Sequence, residues 1–286
     1  MKETLLCCRI TAQEKGLYRL CHDGVEQAAQ VSGKFQYEAL GPSDYPTVGD
    51  EVLADLNGGG QAVIHKVLPR KSLFLRKAAG TAREEQPVAA NVDILFLCMA
   101  LNNDFNLRRL ERYLAAAWNS GATPVVVLTK ADLCGNPSEK VAAVEEAAPG
   151  TDVLLTSAAQ EDGIRPLLPY LTPGRTVAFV GSSGVGKSTL MNGLLGKEIL
   201  ATGGLRNDDR GRHTTTRRQM FFLPGGAALI DTPGMRELGL WDSESGLETA
   251  FADIEALARQ CRFQDCRHEK EPGCAVRAAL ASGELS

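Results

Sequence analysis

The octapeptide Gly181-Ser182-Ser183-Gly184-Val185-Gly186-Lys187-Ser188 constrains the fold of this chain more than any other stretch. It fits the phosphate-loop pattern GxxxxGK[ST], after the apolar run RTVAFV and before the helix-forming run KSTLMNGLL. A strand, a glycine-rich turn and a helix in that order present backbone N–H groups to a phosphate. Lys187 then reaches the β- and γ-oxygens, and the Ser188 hydroxyl is placed to ligate Mg²⁺. Such a loop works at the carboxyl end of parallel strands, so its neighbours must be βα units. They read that way. VDILFLCMAL, TPVVVLT, DVLLTS, RTVAFVG and AALIDTPG are near-continuous apolar runs, the pattern of strands buried on both faces. Helical stretches at 107–118, 139–148, 164–171 and 187–195 supply the crossovers of a doubly wound parallel sheet.

Two further segments belong with a bound triphosphate. Asp231-Thr-Pro-Gly234 ends the run AALI about forty residues after the phosphate loop, where Asp231 faces Mg²⁺ through water and the Gly234 N–H senses a γ-phosphate. Between them, Gly211-Arg-His-Thr-Thr-Thr-Arg217 offers hydroxyls for the second switch contact on Mg²⁺. Thr215 is the candidate ligand, with Thr214 and Thr216 as alternatives. The base is chosen by an acceptor for guanine N1–H and N2–H₂, groups that adenine does not offer there. Thr129-Lys130-Ala131-Asp132 supplies it after PVVVL, with Lys130 over the purine face and Asp132 taking the bidentate pair. Thr156-Ser157-Ala158, after DVLL, is the second purine-facing loop. These base-reading loops precede the phosphate loop instead of following it, so the domain is circularly permuted, a rearrangement that close termini tolerate.

The first seventy residues read differently. TLLCCRI, GLYRLC, KFQYEAL, VGDEVLADL and QAVIHKVL, punctuated by turn residues, predict five short strands, as in an OB-fold barrel that binds oligonucleotides or another small β module. The formal net charge of −4 gives no overall attraction to nucleic acid. It hides a patch: residues 62–83 hold six basic residues and no acidic one, whereas 242–255 hold five acids and no base. Cys261-x₄-Cys266-x-His268-x₅-Cys274 is a complete Cys₃His set for a closed tetrahedral Zn²⁺ site, the alternative being reduced core cysteines. No window approaches 18 uninterrupted apolar residues and Arg9 arrives too early for a signal-peptide core, so a cytoplasmic protein with no membrane contact is expected.

With these residues assembled, the chain resembles the RsgA/YjeQ family of ribosome small subunit-dependent GTPases from about residue 30 to its end. The carriers are VGD at 48–50, PRKS and RKAAG within 69–80, AANVD at 89–93, TKAD, GSSGVGKST, GRHTTT, DTPG and the cysteine-rich tail. The resemblance implies an OB-fold RNA-binding domain over 1–72, a permuted P-loop GTPase domain over 73–240 and a mainly helical zinc domain over 241–286. Together these bind the 30S ribosomal subunit and its rRNA late in maturation. It implies GTP contacts from Thr129, Lys130, Ala131, Asp132, Gly181, Ser182, Ser183, Gly184, Val185, Gly186, Lys187, Ser188 and Thr189. One structural zinc would sit on Cys261, Cys266, His268 and Cys274. Relatives usually continue past Glu284-Leu-Ser286 with another helix, so a shortened zinc domain is expected.

The departures carry expectations of their own. Thr129 replaces the Asn of the commonest guanine motif, losing an amide brace; Met235 stands where Ras-like enzymes carry a water-positioning Gln; Gly184 stands where some potassium-activated GTPases place Asn. Hydrolysis by a lone monomer should therefore be slow and should depend on the 30S subunit. His213 beside the switch threonines is the candidate catalytic group, with Arg210, Arg212, Arg217 and Arg218 as phosphate contacts to rRNA. The leading expectation is a GTP-hydrolysing switch binding GTP and GDP. A nucleotide-gated RNA-binding module with incidental hydrolysis is the alternative, and a phosphotransferase lacks any recognisable acceptor motif.

Overall fold

A computed structural model describes residues 5–14, 16–56, 60–77, 85–102, 104–160, 162–196, 218–231, 257, 260–263, 266 and 272–282. The chain divides into two compact units, Met1–Trp241 and Asp242–Ser286.

The first unit begins with a closed five-stranded barrel. Strands β1 (Leu6–Glu14), β2 (Leu17–His22), β3 (Val25–Val31), β4 (Glu51–Asp55) and β5 (Ala62–Val67) run in the order β1-β2-β3-β5-β4, and β4 pairs back onto β1. That closure removes the exposed edges a small open sheet would leave. Alternate residues face inward, so Cys8, Ile10, Leu20, Ala29, Val52, Ala54, Ala62 and Ile64 form the barrel core. A register shift between Ile10 and Ala12 bends β1 so that it can pair on both sides.

One expected strand is corrected. The KFQYE of this run lies in a helix, α1 (Gly33–Glu38), started by Ser32, whose side chain accepts from the Phe35 N–H at 3.1 Å. The third strand is VEQAAQV instead. Only Ala29 and Val31 are buried, and Gln27 shares their face and donates to the Leu56 carbonyl at 3.0 Å, which leaves too faint an apolar alternation to read.

A two-stranded antiparallel hairpin follows, β6 (Leu73–Lys77) with β7 (Glu85–Ala90). The nucleotide sheet comes next: β8 (Ile94–Ala100), α2 (Leu107–Ser120), β9 (Thr123–Thr129), α3 (Pro137–Ala147), β10 (Val153–Leu155), β11 (Thr176–Val180), α4 (Lys187–Leu195), β12 (Arg218–Phe222) and β13 (Ala228–Asp231). The strand order is β10-β9-β8-β11-β13-β12, parallel throughout except for β12, which runs antiparallel to β13. Successive residues of the central strands enter opposite cores. Leu95, Leu97, Val126 and Leu128 pack with Leu110, Tyr113 and Leu114 of α2, while Phe96, Val125, Val127 and Phe179 pack with Leu190 and Met191 of α4. Burial on both faces accounts for the unbroken apolar runs.

Barrel and sheet are joined covalently through the hairpin and physically through motifs that lie far apart in sequence. The β12 strand pairs with β13 on one side and with β1 of the barrel on the other, so that among the described residues eleven strands form one continuous sheet. Asp50 is fully buried and receives Arg70 in a two-pronged pair, Nε to Oδ1 and Nη2 to Oδ2, both at 2.8 Å. Arg70 also donates to the Ser43 and Tyr45 carbonyls, and the Thr47 N–H donates to Asp50 Oδ2 at 2.7 Å. Asn91 donates to the Gly49 carbonyl at 3.0 Å and accepts from the Lys71 N–H at 2.8 Å. Asp93 accepts from the Thr176 N–H at 2.8 Å, and Arg9 donates to the Thr176 hydroxyl at the same distance. Gly49 has φ +93°, and a Cβ there would lie 2.1 Å from the Ala90 carbonyl oxygen, so no side chain fits. VGD, PRKS and AANVD are thus the parts of one joint.

In the second unit, helix α5 (Ala275–Ser282) packs Val276 and Ala279 with Cys274, against Leu257, Cys261 and Cys266.

Candidate nucleotide and metal sites

Parallel pairing sends β8, β9, β10, β11 and β13 the same way, so the segments that follow them leave from one edge of the sheet. The phosphate loop leaves β11 and ends in α4. Gly181, at φ +149°, passes so close to β8 that a Cβ would lie 2.3 Å from the Cys98 carbonyl oxygen. Val185 is buried and plugs the loop into the core that α4 shares with the sheet. Lys187 folds over the loop, its Nζ donating to the Gly181 carbonyl at 2.7 Å and the Ser182 carbonyl at 2.6 Å. That holds a cation above a ring of backbone N–H groups at a helix N-terminus, an arrangement suited to phosphate. Ser188 lies in the first turn of α4 and Thr189 is exposed beside it.

The base-reading loops lie beside it. Lys130 adopts the left-handed conformation at φ +56°, turning the chain out of β9 into the short helical turn Ala131–Leu133. The Ala131 N–H donates to the Thr156 carbonyl at 3.1 Å, and the Ser157 hydroxyl donates to Asp132 Oδ1 at 2.5 Å. TKAD and TSA are therefore one surface, with Asp132 exposed and Ala158 beside it. Asp231 follows Ile230, which lies opposite Ala178 of β11, and so ends β13 at the edge from which the phosphate loop departs.

Two findings alter the reading of these loops. The brace expected to be missing at Thr129 is present in another form: its buried hydroxyl donates to the Val185 carbonyl at 2.6 Å and ties the base loop to the phosphate loop. Arg218, expected among the rRNA contacts, donates within the chain to Gln13 of β1 at 3.1 Å and to the Pro87 carbonyl of β7 at 2.5 Å. Tyr113 of α2, which carries no motif, is buried beside Ser182 of the phosphate loop, and burial raises its phenol pKa above the ordinary value. Only tertiary packing brings these pairs together, so no sequence pattern announced them. Cys98 lies beneath the loop; burial pushes its thiol up to about 12, with Lys187 pulling weakly the other way, so it stays protonated. His213, Thr215 with its neighbours Thr214 and Thr216, Gly234, Met235, Arg210, Arg212, Arg217 and His268 lie outside the described residues.

In the second unit, the sulfur atoms of Cys261, Cys266 and Cys274 all lie within 4.8 Å of one another. Burial raises the Cys261 thiol pKa, but hydrogen bonds from the Val276 and Ala275 N–H groups and the two neighbouring thiols outweigh it, so the net direction is down. The Arg277 N–H meets Cys274 Sγ at 3.4 Å. Convergent sulfurs, with N–H groups favouring the thiolate form, fit a soft or borderline metal cation.

Residues 67–241 match the family described as RsgA GTPase. The small ribosomal subunit biogenesis GTPase RsgA 2 of Lactiplantibacillus plantarum is 51% identical over 97% of this chain and 78% of its own length. The small ribosomal subunit biogenesis GTPase RsgA of Opitutus terrae is 48% identical over 99% of this chain and 80% of its own. Among solved structures, that of YjeQ from Thermotoga maritima matches at a TM-score of 0.66 and 28% identity, covering 99% of this chain and 94% of that one. The structure of YloQ, a circularly permuted GTPase, shares the fold at a TM-score of 0.60 and 23% identity, covering 99% and 90%.

Proposed function

The chain belongs to the RsgA GTPase family and is a GTPase; on that premise we propose that its GTP cycle serves biogenesis of the small ribosomal subunit. Relatives sharing about half its residues carry that role in their names. The observation that carries the reading is the pair of ties on one edge of the sheet, Thr129 to Val185 joining base loop and phosphate loop and Ser157 to Asp132 joining the two base loops. A guanine held by Asp132 and Lys130 then has its phosphates in the loop 181–188, against Lys187. Magnesium would neutralise charge on the phosphates, and Ser188, Thr215 and Asp231 are the residues that would hold it. Gly234 is the γ-phosphate sensor and His213 the group that orients water.

We assign zinc to Cys261, Cys266 and Cys274, with His268 as fourth ligand, in a closed site that holds the tail together. Elemental analysis of protein purified without chelator should find one zinc per chain. Cys266→Ser should lower zinc content and destabilise the tail, leaving GTP affinity within about twofold; a metal-free wild type refutes the assignment. The functional division follows residues 1–72, 73–240 and 241–286, with barrel and tail meeting rRNA. Among the described residues no helix is long and apolar enough to cross a membrane. A cytoplasmic monomer binding GTP, GDP and the 30S subunit completes the reading.

Turnover measured with and without 30S particles tests it. Alone, the protein should hydrolyse GTP at well below about one per second, and 30S particles should raise that rate strongly, less so at high salt. His213→Ala should remove most of the stimulation and little GTP affinity, because a group that orients water acts mainly in the transition state. A wild type indifferent to 30S particles overturns the ribosomal reading.

A further inference from the structure

Strand β12 belongs to two bodies at once. Gln219 lies opposite Asp231 of β13 on one side and opposite Ala12 of β1 on the other. Barrel and phosphate-side carboxylate are therefore two strand spacings apart, roughly 10 Å, along a single row of the ladder. Directly beside that row, Arg218 is paired with Gln13 in the register and its guanidinium donates to the Gln13 side chain and the Pro87 carbonyl. The Thr47 hydroxyl donates to the same Gln13 oxygen at 3.2 Å. One side chain thus fastens the start of β12 to the barrel and to the hairpin together. The clamp borders a cavity of about 680 Å³ whose walls include Tyr18, Tyr45 and Gln86, so the guanidinium has room to leave Gln13 without displacing the core.

We infer that β12 couples the barrel to the GTP site and that Arg218 is the positioning residue that makes the coupling. The inference rests on the GTPase reading above and extends it to regulation. In sequence, β12 begins where the switch threonines end and β13 ends in Asp231, and the antiparallel register puts these two termini at the same end of the strand pair. A shift of Asp231 or of the switch segment between GTP and GDP moves β12 against β1. By reciprocity, a ligand that strains β1 or β2 biases the same strand from the other end. Backbone hydrogen bonds alone would let β12 slip or fray; the clamp at Arg218 holds its register.

Amide hydrogen exchange on the full chain, loaded with GDP or with a non-hydrolysable GTP analogue, tests this without any ribosome. Exchange over residues 10–14 should differ between the two states by about tenfold in the wild type, and Arg218→Ala should reduce the difference to less than about twofold. Fluorescent GDP affinity should stay within about twofold in that variant, since Arg218 lies outside the nucleotide loops. Gln13→Ala, which leaves the arginine in place, should give the same loss, and the exchanged pair Arg218→Gln with Gln13→Arg should restore the difference. A merely structural clamp would lower stability in these variants and leave the nucleotide dependence intact. A wild-type barrel indifferent to nucleotide, or a difference that survives both single variants, overturns the inference. A wild type that binds no guanine nucleotide strikes the GTPase reading, and the inference falls with it.

Discussion

The nucleotide edge and the barrel joint lie in one compact unit and are built from the same kinds of group, carboxylates, cationic side chains, hydroxyls and backbone amides, but these are distributed along the chain in opposite ways. At the nucleotide edge the groups stand in runs, eight residues for the phosphate loop and four for the base loop. At the joint they are single residues: Arg9, Asp50, Arg70, Asn91, Asp93 and Thr176. The reason is physical. A phosphate needs several consecutive N–H groups pointing one way, which only a contiguous loop provides. A joint needs one group from each element that meets there. It follows that the edge should tolerate substitution without unfolding, whereas the joint should not.

The largest effect is therefore expected at Asp50. Removing it by Asp50→Ala leaves Arg70, only 15% exposed, without its partner, and should cost about 3–5 kcal/mol of stability. Chemical denaturation measures this directly. A loss below about 1 kcal/mol would mean that Asp50 and Arg70 do not hold the joint, and the contrast between the two regions would collapse.

Asp132→Asn should show the opposite profile. Asp132 is exposed and bonded to Ser157, so its replacement should leave the unfolding midpoint near that of the wild type. GTP affinity should nevertheless fall by roughly a hundredfold, about 3 kcal/mol, because two charge-assisted hydrogen bonds to guanine are lost, and preference should move toward xanthine nucleotides. Competition titration with GTP, ATP and XTP reads both changes. Equal affinity of the wild type for ATP and GTP would remove guanine from the reading altogether.

The same contrast explains what was legible in the sequence. The phosphate loop, TKAD, TSA and their parallel strands could be read because each is contiguous and each apolar run reports burial on both faces. The barrel was legible as five strands, but the third was misplaced. Helix α1 carries Phe35 and Tyr37, aromatics that favour strands, while β3 carries Glu26, Gln27 and Gln30. Strand β12 went unread because RQMFF is short and follows a polar segment, and its second partner, β1, is more than two hundred residues away in sequence. VGD, PRKS and AANVD stood out as motifs, yet their meeting at one joint is a property of the tertiary fold alone.

Thr129 lies between the two regions in character and carries the smallest expected effect. It stands in a contiguous nucleotide motif but acts as a joint residue does, by a single bond to a distant element. The residue is 2% exposed and its hydroxyl donates to the Val185 carbonyl, so the phosphate loop is held against β9 by that bond. Thr129→Val keeps the shape and removes only the donor, leaving a buried carbonyl short of one partner. The expected cost is about 1 kcal/mol, seen as a roughly fivefold weaker GTP affinity with a matching small loss of stability. Thr129→Asn, which restores the commoner guanine motif, should bring no gain, because the brace is already made and the larger amide must enter a packed site. Isothermal titration of the two variants decides the point. Undiminished affinity in Thr129→Val would show that the base and phosphate loops act independently; tighter binding in Thr129→Asn would show that the hydroxyl is the poorer brace.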